Sequence, residues 1–170
     1  MQLHIIAAVL FSLLASAFAQ TSQSFNTTLA YDPVYDNGNL STTGITCSNG
    51  ANGVICKNCA LTLSQIPGWP NISGAPPISS WNSANCSTCW QLALPDFNTT
   101  INVRAVDASS NGFNVGFALM NAATNGQALS RGRVSAVARQ IPDAGCEQGQ
   151  QGPKQPAEDA DCPPPGFGCS

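Results

Sequence analysis

Two cysteines and two tryptophans fall within residues 80–90, which is the feature that most constrains the fold of this chain. Cys86 and Cys89 are three positions apart, and Trp90 follows the second cysteine directly. Half-cystines at this spacing can tie one segment to two distant parts of the chain, while a large aromatic side chain beside them favours a buried position. The stretch therefore predicts a small, disulfide-stabilised fold organised around this segment.

The N-terminus has the pattern of a secretory signal peptide. Residues 5–14 are apolar, and residues 17–19 have the small-x-small pattern that a signal peptidase cleaves. The apolar run is too short for a transmembrane helix, the alternative interpretation. We therefore expect cleavage after residue 19 and secretion, which also suits an even count of eight cysteines in disulfides. Membrane insertion is not expected.

The remaining chain divides by composition into three parts. Residues 20–30 are polar and predict a flexible leader, residues 31–146 form one domain, and residues 147–170 form a tail rich in Pro, Gly and Gln that carries two cysteines. Five Asn-x-Ser/Thr sequons suit a secreted protein. Asn85 adjoins Cys86, where folding competes with modification, so the predicted glycosylation sites are Asn26, Asn39, Asn71 and Asn98.

Charge excludes several classes of function. Between residues 20 and 146 five aspartates balance five lysines and arginines, so the domain is neutral and a poor partner for nucleic acid. The whole chain has one histidine, His4, which lies in the predicted signal peptide, so the domain has none. This excludes Ser-His-Asp and Cys-His nucleophilic sites and histidine metal sites from the domain. A hydrolase with paired carboxylates would need two of the domain's five aspartates, which are Asp32, Asp36, Asp96, Asp107 and Asp143.

Periodicity predicts a mainly β domain with short helices. Trp90, Leu92 and Leu94 alternate as one face of a strand, and residues 101, 103 and 105 alternate in the same way, which predicts a hairpin. Residues 31–36 suggest an edge strand, residues 61–66 a short helix, and residues 67–77 a loop. A helix over 116–125 and a last strand over 132–140 complete the prediction.

Ordered motifs along the domain resemble those of the cerato-platanins, small secreted fungal proteins. The matching segments lie at residues 31–35, 47–53, 81–83, 86–90, 101–103, 107, 112–114 and 120–122. The resemblance implies a six-stranded double-psi β-barrel with short peripheral helices. It also implies the disulfides Cys47–Cys86 and Cys89–Cys146, with no cofactor and no metal ion.

The same resemblance implies a function outside the cell or in the fungal cell wall. Members bind chitin-like N-acetylglucosamine oligomers in a shallow groove, loosen cell-wall polysaccharide without established hydrolysis, and elicit plant defence, so host plant receptors are further expected partners. Asp107 matches the groove aspartate, at the end of an apolar strand beside a polar turn. The other expected sugar contacts are Asn114, Asn49, Asn52 and Tyr31.

The chain departs from the family pattern in three ways. Asn49 stands where the family motif usually has Asp, which weakens any mechanism that uses two acids. Four cysteines are additional, namely Cys56, Cys59, Cys162 and Cys169, and all three of their pairings stay open. The tail lies outside the resemblance. A zinc ribbon formed by the two Cys-x-x-Cys pairs is disfavoured by secretion.

Two other functions remain as alternatives to non-enzymatic carbohydrate binding. One is a weak endoglucanase-like hydrolase with Asp107 as the acid. The other is a surface-active structural protein of the cell wall, whose purpose is self-association at interfaces.

Overall fold

In a computed structural model, residues 22–147 are described, and within them six strands form a closed barrel. The strands are β1 (Phe25–Tyr31), β2 (Ile72–Ala75), β3 (Cys89–Leu94), β4 (Thr99–Ala108), β5 (Phe113–Val115) and β6 (Arg133–Ile141). Three short helices lie outside them, α1 (Val54–Asn58), α2 (Phe117–Ala123) and α3 (Ala128–Arg131). Single 3₁₀ turns span Pro33–Asp36, Thr42–Gly44, Leu63–Gln65, Pro95–Phe97 and Asp143–Cys146.

The barrel closes in the order β1-β5-β2-β4-β3-β6. The pairs β1–β5 and β2–β4 are parallel, whereas the other four are antiparallel. Closure satisfies the backbone groups that an open sheet would expose at its edges. The predicted six-stranded barrel with short helices is confirmed, and the β3–β4 hairpin pairs as the alternation predicted.

Two apolar cores flank the barrel wall. The interior is filled by side chains such as Leu92, Val103 and Phe113, with Trp90 at its margin. A second core lies outside β2 and β4 and includes Tyr35, beneath the loops that precede β2; its other members are Ile45, Val54, Ala60, Leu63, Ile66, Ile72 and Val106. Strands β2 and β4 are therefore buried on both faces over part of their length.

Four local predictions need correction. The prediction of a flexible leader is wrong for residues 25–30, because β1 pairs with β6 from Phe25 onward and buries Leu29 in the barrel. Of the predicted edge strand at 31–36 only Tyr31 belongs to a strand, as the last residue of β1. Pro33–Asp36 form a 3₁₀ turn, because the Asp32 side chain accepts a hydrogen bond from the Val34 amide and caps it. The predicted loop at 67–77 contains β2, and the helix at 61–66 shrinks to Leu63–Gln65. Helix α1 at Val54–Asn58 was not predicted.

The two implied disulfides are confirmed. Cys47 is bonded to Cys86 and Cys89 to Cys146, with Cα atoms 5.5 and 5.8 Å apart. Cys56 and Cys59 are also disulfide-bonded, so the two Cys-x-x-Cys pairs do not offer thiolates to zinc. Cys162 and Cys169 lie outside the described residues, as does the predicted signal peptide, and the pairing of the four additional cysteines stays open.

Within residues 22–147 every helix is too short to cross a bilayer. No cluster of three or more potential metal ligands occurs in the same range.

Candidate functional site

A β-bulge in β4 directs Asp107 to the outside of the barrel. Val103 and Ala105 point into the interior, so strict alternation would place residue 107 there as well. The register with β2 instead passes from Ser73 opposite Ala105 to Gly74 opposite Asp107, which leaves Val106 as the extra residue. Bulges re-aim side chains in this way, and here the carboxylate joins the outer face, beside the second core.

Four hydrogen bonds fix the Asp107 carboxylate. Its Oδ1 accepts from the Thr46 amide (2.9 Å), the Thr46 hydroxyl (2.6 Å) and the Ala108 amide (2.8 Å). Its Oδ2 accepts from the Tyr35 hydroxyl at 3.2 Å. The side chain is nevertheless only half-buried, so Asp107 is a rigidly held negative charge at the surface with acceptor capacity remaining on Oδ2.

Tyr35 is the buried support of this carboxylate. The residue is 4% exposed and lies in the second core. Burial raises the pKa of the Tyr35 phenol well above its ordinary value, and the charges of Asp107 and Asp32 raise it further. Tyr35 therefore stays protonated and continues to donate to Asp107 at any physiological pH.

Gly74 lies between Asp107 and Asn114 in the sheet and is itself buried. It faces Asp107 across β4 and Asn114 across β5 in the strand register. A Cβ at position 74 would lie 2.9 Å from the Tyr35 hydroxyl, so a side chain there would displace the group that holds Asp107. Asn114 Nδ2 donates to the Ser109 hydroxyl at 3.2 Å, which fixes the orientation of its amide.

A second polar cluster begins one residue after Thr46, where the Cys47–Cys86 disulfide joins two loops. The Trp81 indole N–H donates to Asn49 Oδ1 at 2.6 Å. The Asn52 backbone and side-chain amides both donate to Asn82, each at 3.0 Å. Trp81 remains 52% exposed, so one fixed aromatic surface stands beside Asn49 and Asn52.

The structure thus groups the predicted contact residues unevenly. Asp107 and Asn114 both pair with Gly74, whereas Asn49 and Asn52 belong to the neighbouring loop pair, which the segment from Thr46 connects to Asp107. Tyr31 is half-buried and packs edge-on against Phe117 with ring centroids 5.1 Å apart, so much of its ring serves the contact between β1 and α2.

Most remaining aspartates have structural contacts. Asp32 caps the turn at Pro33–Asp36, and the Asp36 carboxylate accepts from the Phe117 and Ala118 amides at the start of α2. Asp143 lies 3.8 Å from Arg104. Asp96 lies in the turn between β3 and β4, at the opposite end of β4 from Asp107.

Sequence reasoning missed Thr46 and Gly74. Thr46 supplies two of the four donors to Asp107, although the two residues are 61 positions apart in sequence. No local sequence pattern predicts such a contact. Gly74 lies in a stretch rich in Pro and Gly that reads as a loop, and only the pairing of β2 between β4 and β5 gives it a role.

These features define a class, a small closed β-barrel stabilised by disulfides, with a fixed surface carboxylate and amide-rich loops beside it. The cerato-platanin family model matches residues 27–148. The chain therefore belongs to the cerato-platanin family.

Individual relatives agree with this assignment. The chain is 40% identical over 121 residues to "Allergen Asp f 15" of Aspergillus fumigatus, covering 71% of this chain and 77% of the relative. The crystal structure of cerato-platanin 3 from M. perniciosa is similar with a TM-score of 0.67 and 37% identity, over 72% of this chain and 98% of that one. The solution structure of "the fungal elicitor Cerato-Platanin" has a TM-score of 0.64 and 35% identity, with the same coverage.

Proposed function

We propose that this protein is a secreted, non-enzymatic binder of polysaccharide, specifically of chitin or N-acetylglucosamine oligomers, at the surface centred on Asp107. The observation that carries the proposal is the half-buried Asp107 carboxylate, which Thr46 and Tyr35 hold at the surface. A fixed carboxylate oxygen is a strong acceptor for sugar hydroxyl and amide N–H groups. The neutral composition of the domain suits an uncharged ligand.

Neighbouring groups extend this surface. Asn114, opposite Gly74 on β5, offers a carbonyl oxygen and a second amide hydrogen. The Trp81 ring, with its N–H already bound to Asn49, has an exposed apolar face against which a pyranose ring can pack.

The distribution of aspartates supports binding without hydrolysis. Paired-carboxylate hydrolysis requires a second acid within about 5 to 9.5 Å of the first, on the other side of the scissile bond. Asp32 and Asp36 are engaged with backbone amides, and Asp143 with Arg104. Asp96 is in a turn beyond the far end of β4. Asp107 itself already accepts from four donors, so its role is to hold a ligand in place.

Secretion and contact with a host follow from the same proposal. One relative is described as a fungal elicitor and another as an allergen, which supports a protein that reaches the outside of the fungal cell and is recognised there. We expect the mature chain in culture filtrate or attached to the cell wall, beginning after residue 19, and we expect plant tissue to respond to it.

The binding proposal is tested by titrating uniformly ¹⁵N-labelled protein with N-acetylglucosamine oligomers of increasing length and following amide shifts. Saturable shifts are expected at Thr46, Gly74 and Ala108. Asp107→Asn keeps the shape of the side chain while removing its charge, and we expect at least about a tenfold loss of affinity, because hydrogen bonds to charged groups are worth about 1.5 to 3 kcal/mol.

Asp96→Asn is the matched control, because it removes one aspartate from the same hairpin at the opposite end of β4 from Asp107. It should bind as the wild type does. The proposal is wrong if the wild type binds no oligomer, or if Asp107→Asn and Asp96→Asn bind equally well. Release of reducing sugar that disappears in Asp107→Asn would instead establish the hydrolase.

A further inference from the structure

Two buried hydroxyl groups lack any hydrogen-bond partner among residues 22–147, those of Ser73 and Ser87. Ser73 is fully buried in β2, where alanine would fill the site without an unpaired polar group. A buried unsatisfied hydroxyl destabilises the folded state. Both serines are the third residue of an Asn-x-Ser sequon, after Asn71 and Asn85, so either hydroxyl could take part in glycosylation only before the chain folds.

The two acceptor asparagines differ in the folded protein. Asn85 Nδ2 donates to the Pro77 carbonyl at 2.8 Å, and a sugar on that nitrogen would have to displace the bond. Asn71 is held only through its backbone, whose N–H donates to Gly68 and whose C=O accepts from Arg104. Its side-chain amide has no hydrogen-bond partner within the described range, and it borders a surface recess.

That recess lies at the other half of β4 from Asp107. It has a volume of about 340 Å³ and is lined by Asn71, Gln91, Thr100, Ile101, Asn102, Gly145 and Cys146.

Amide side chains form a pre-arranged row along the recess. The Arg139 Nε–H donates to Gln91 Oε1 at 2.8 Å, Gln91 Nε2 donates to Asn102 Oδ1 at 3.3 Å, and Asn102 Nδ2 donates to the Gly145 carbonyl at 2.9 Å. Each of the two amides uses one of its two N–H hydrogens in this row. The remaining hydrogens, together with the Thr100 hydroxyl, suit the hydroxyl and acetamido groups of an amino sugar.

We propose that Asn71 carries an N-linked glycan whose first N-acetylglucosamine lies in this recess, and that Ser73 is kept for the transfer. In that reaction a bond forms between Asn71 Nδ2 and C1 of the sugar. The bond from C1 to the pyrophosphate of a lipid-linked oligosaccharide breaks, and one amide proton leaves. Because Ser73 is fully buried in the barrel, transfer has to occur before β2 pairs with β4.

This inference rests on secretion but not on sugar binding at Asp107. The recess involves residues 100–102 of β4, whereas the proposed ligand surface begins at residue 107. Failure of the oligomer titration would therefore leave the Asn71 prediction unchanged, and an unmodified Asn71 would leave the Asp107 surface unchanged.

The first experiment maps the modification in protein secreted from a yeast host. Peptide N-glycosidase treatment of denatured protein in ¹⁸O water marks each occupied asparagine as labelled aspartate. We expect the label at Asn71 and none at Asn85. Ser73→Thr should retain the modification, whereas Ser73→Ala and Asn71→Gln should abolish it at this site alone. Secreted protein with Asn71 unlabelled overturns the proposal.

The second experiment tests whether the first sugar is docked. Removal of the Asn71 glycan from native protein by peptide N-glycosidase should be at least tenfold slower than removal from denatured protein, with any glycan on exposed Asn39 or Asn98 as the internal control. Ala at both Gln91 and Asn102 should restore fast native release. Equal native and denatured rates would refute docking in the recess.

The third experiment tests why the hydroxyl is retained. In unglycosylated protein from bacteria, refolded with its disulfides, Ser73→Ala should unfold at the same urea concentration as the wild type or at a higher one. A lower midpoint would show that the hydroxyl supports the folded state, and the argument from its burial would fail.

Discussion

Arg104 and Asp107 are charged residues three positions apart on β4, and the structure uses them in opposite ways. Arg104 is 5% exposed, and its guanidinium donates to the Pro67 carbonyl at 2.8 Å and the Ser87 carbonyl at 2.7 Å. Asp107 is half-buried and accepts four hydrogen bonds at the surface. Arg104 joins two loops to the barrel, whereas the Asp107 side chain stays partly exposed to solvent.

The difference shows how burial separates a structural charge from a binding charge. Burial lowers the pKa of Arg104, and the carboxylates of Asp143 and Glu147 oppose that effect. The cost of desolvating the Arg104 guanidinium is offset by its hydrogen bonds to the Pro67 and Ser87 carbonyls, which would otherwise be unpaired. Asp107 is held equally firmly yet keeps acceptor capacity toward solvent, which is what recognition of a hydroxylated ligand requires.

The largest effect that separates the two residues is expected from Arg104→Met. It leaves the Pro67 and Ser87 carbonyls without their donor, and hydrogen bonds to charged groups are worth about 1.5 to 3 kcal/mol each, so the free energy of unfolding should fall by about 3 kcal/mol. Urea unfolding measures the loss. Oligomer binding by the folded fraction should persist. Arg131→Met, an exposed arginine, is the control and should change stability by less than about 0.5 kcal/mol.

A smaller effect, with a distinctive pH dependence, is expected from Tyr35→Phe. Loss of one hydrogen bond should cost about 1 kcal/mol at pH 7. Because the folded-state pKa of Tyr35 is raised above its ordinary value of 10.0, the folded protein binds this proton more tightly than the unfolded chain does. The contribution of Tyr35 to the free energy of unfolding is therefore complete below pH 10. It decreases above pH 10 by about 1.4 kcal/mol per pH unit.

Urea midpoints measured between pH 7 and pH 11 test this second prediction. The difference in urea midpoint between wild type and Tyr35→Phe should narrow above pH 10, since only the wild type loses the stability contributed by the protonated Tyr35 phenol. A difference that stays constant across the range would show that the Tyr35 phenol ionises as readily in the folded protein as in the unfolded chain.

The smallest effect is expected from Asp143→Asn. Its side chain is 70% exposed, and the ion pair with Arg104 spans 3.8 Å. Solvent screens such a pair, so the loss should be below about 0.5 kcal/mol and should shrink further in 0.5 M salt. If thermal unfolding instead shows a loss like that of Arg104→Met, the stabilising partner of Arg104 is Asp143 and not the carbonyls.

The parts of the fold that were predictable are those set by local pattern. Alternation at residues 90, 92 and 94 placed the hairpin, and helical spacing placed α2. Strands β1 and β2 were missed because a polar composition concealed the first, and the second is buried on both faces and shows no alternation.

The site was predictable only in part. Motif resemblance selected Asp107, but Thr46 and Gly74 reach it through contacts distant in sequence.

The sequence by itself determined the neutral charge of the domain and the resemblance to one family, because composition and ordered motifs are properties of the chain. That resemblance in turn implied the two confirmed disulfides. The tertiary structure alone decided which way Asp107 points. Period-two alternation would bury its side chain in the barrel, and the extra residue at Val106 turns it outward. A bulge is a property of two paired strands, and β2 and β4 meet only when the barrel closes.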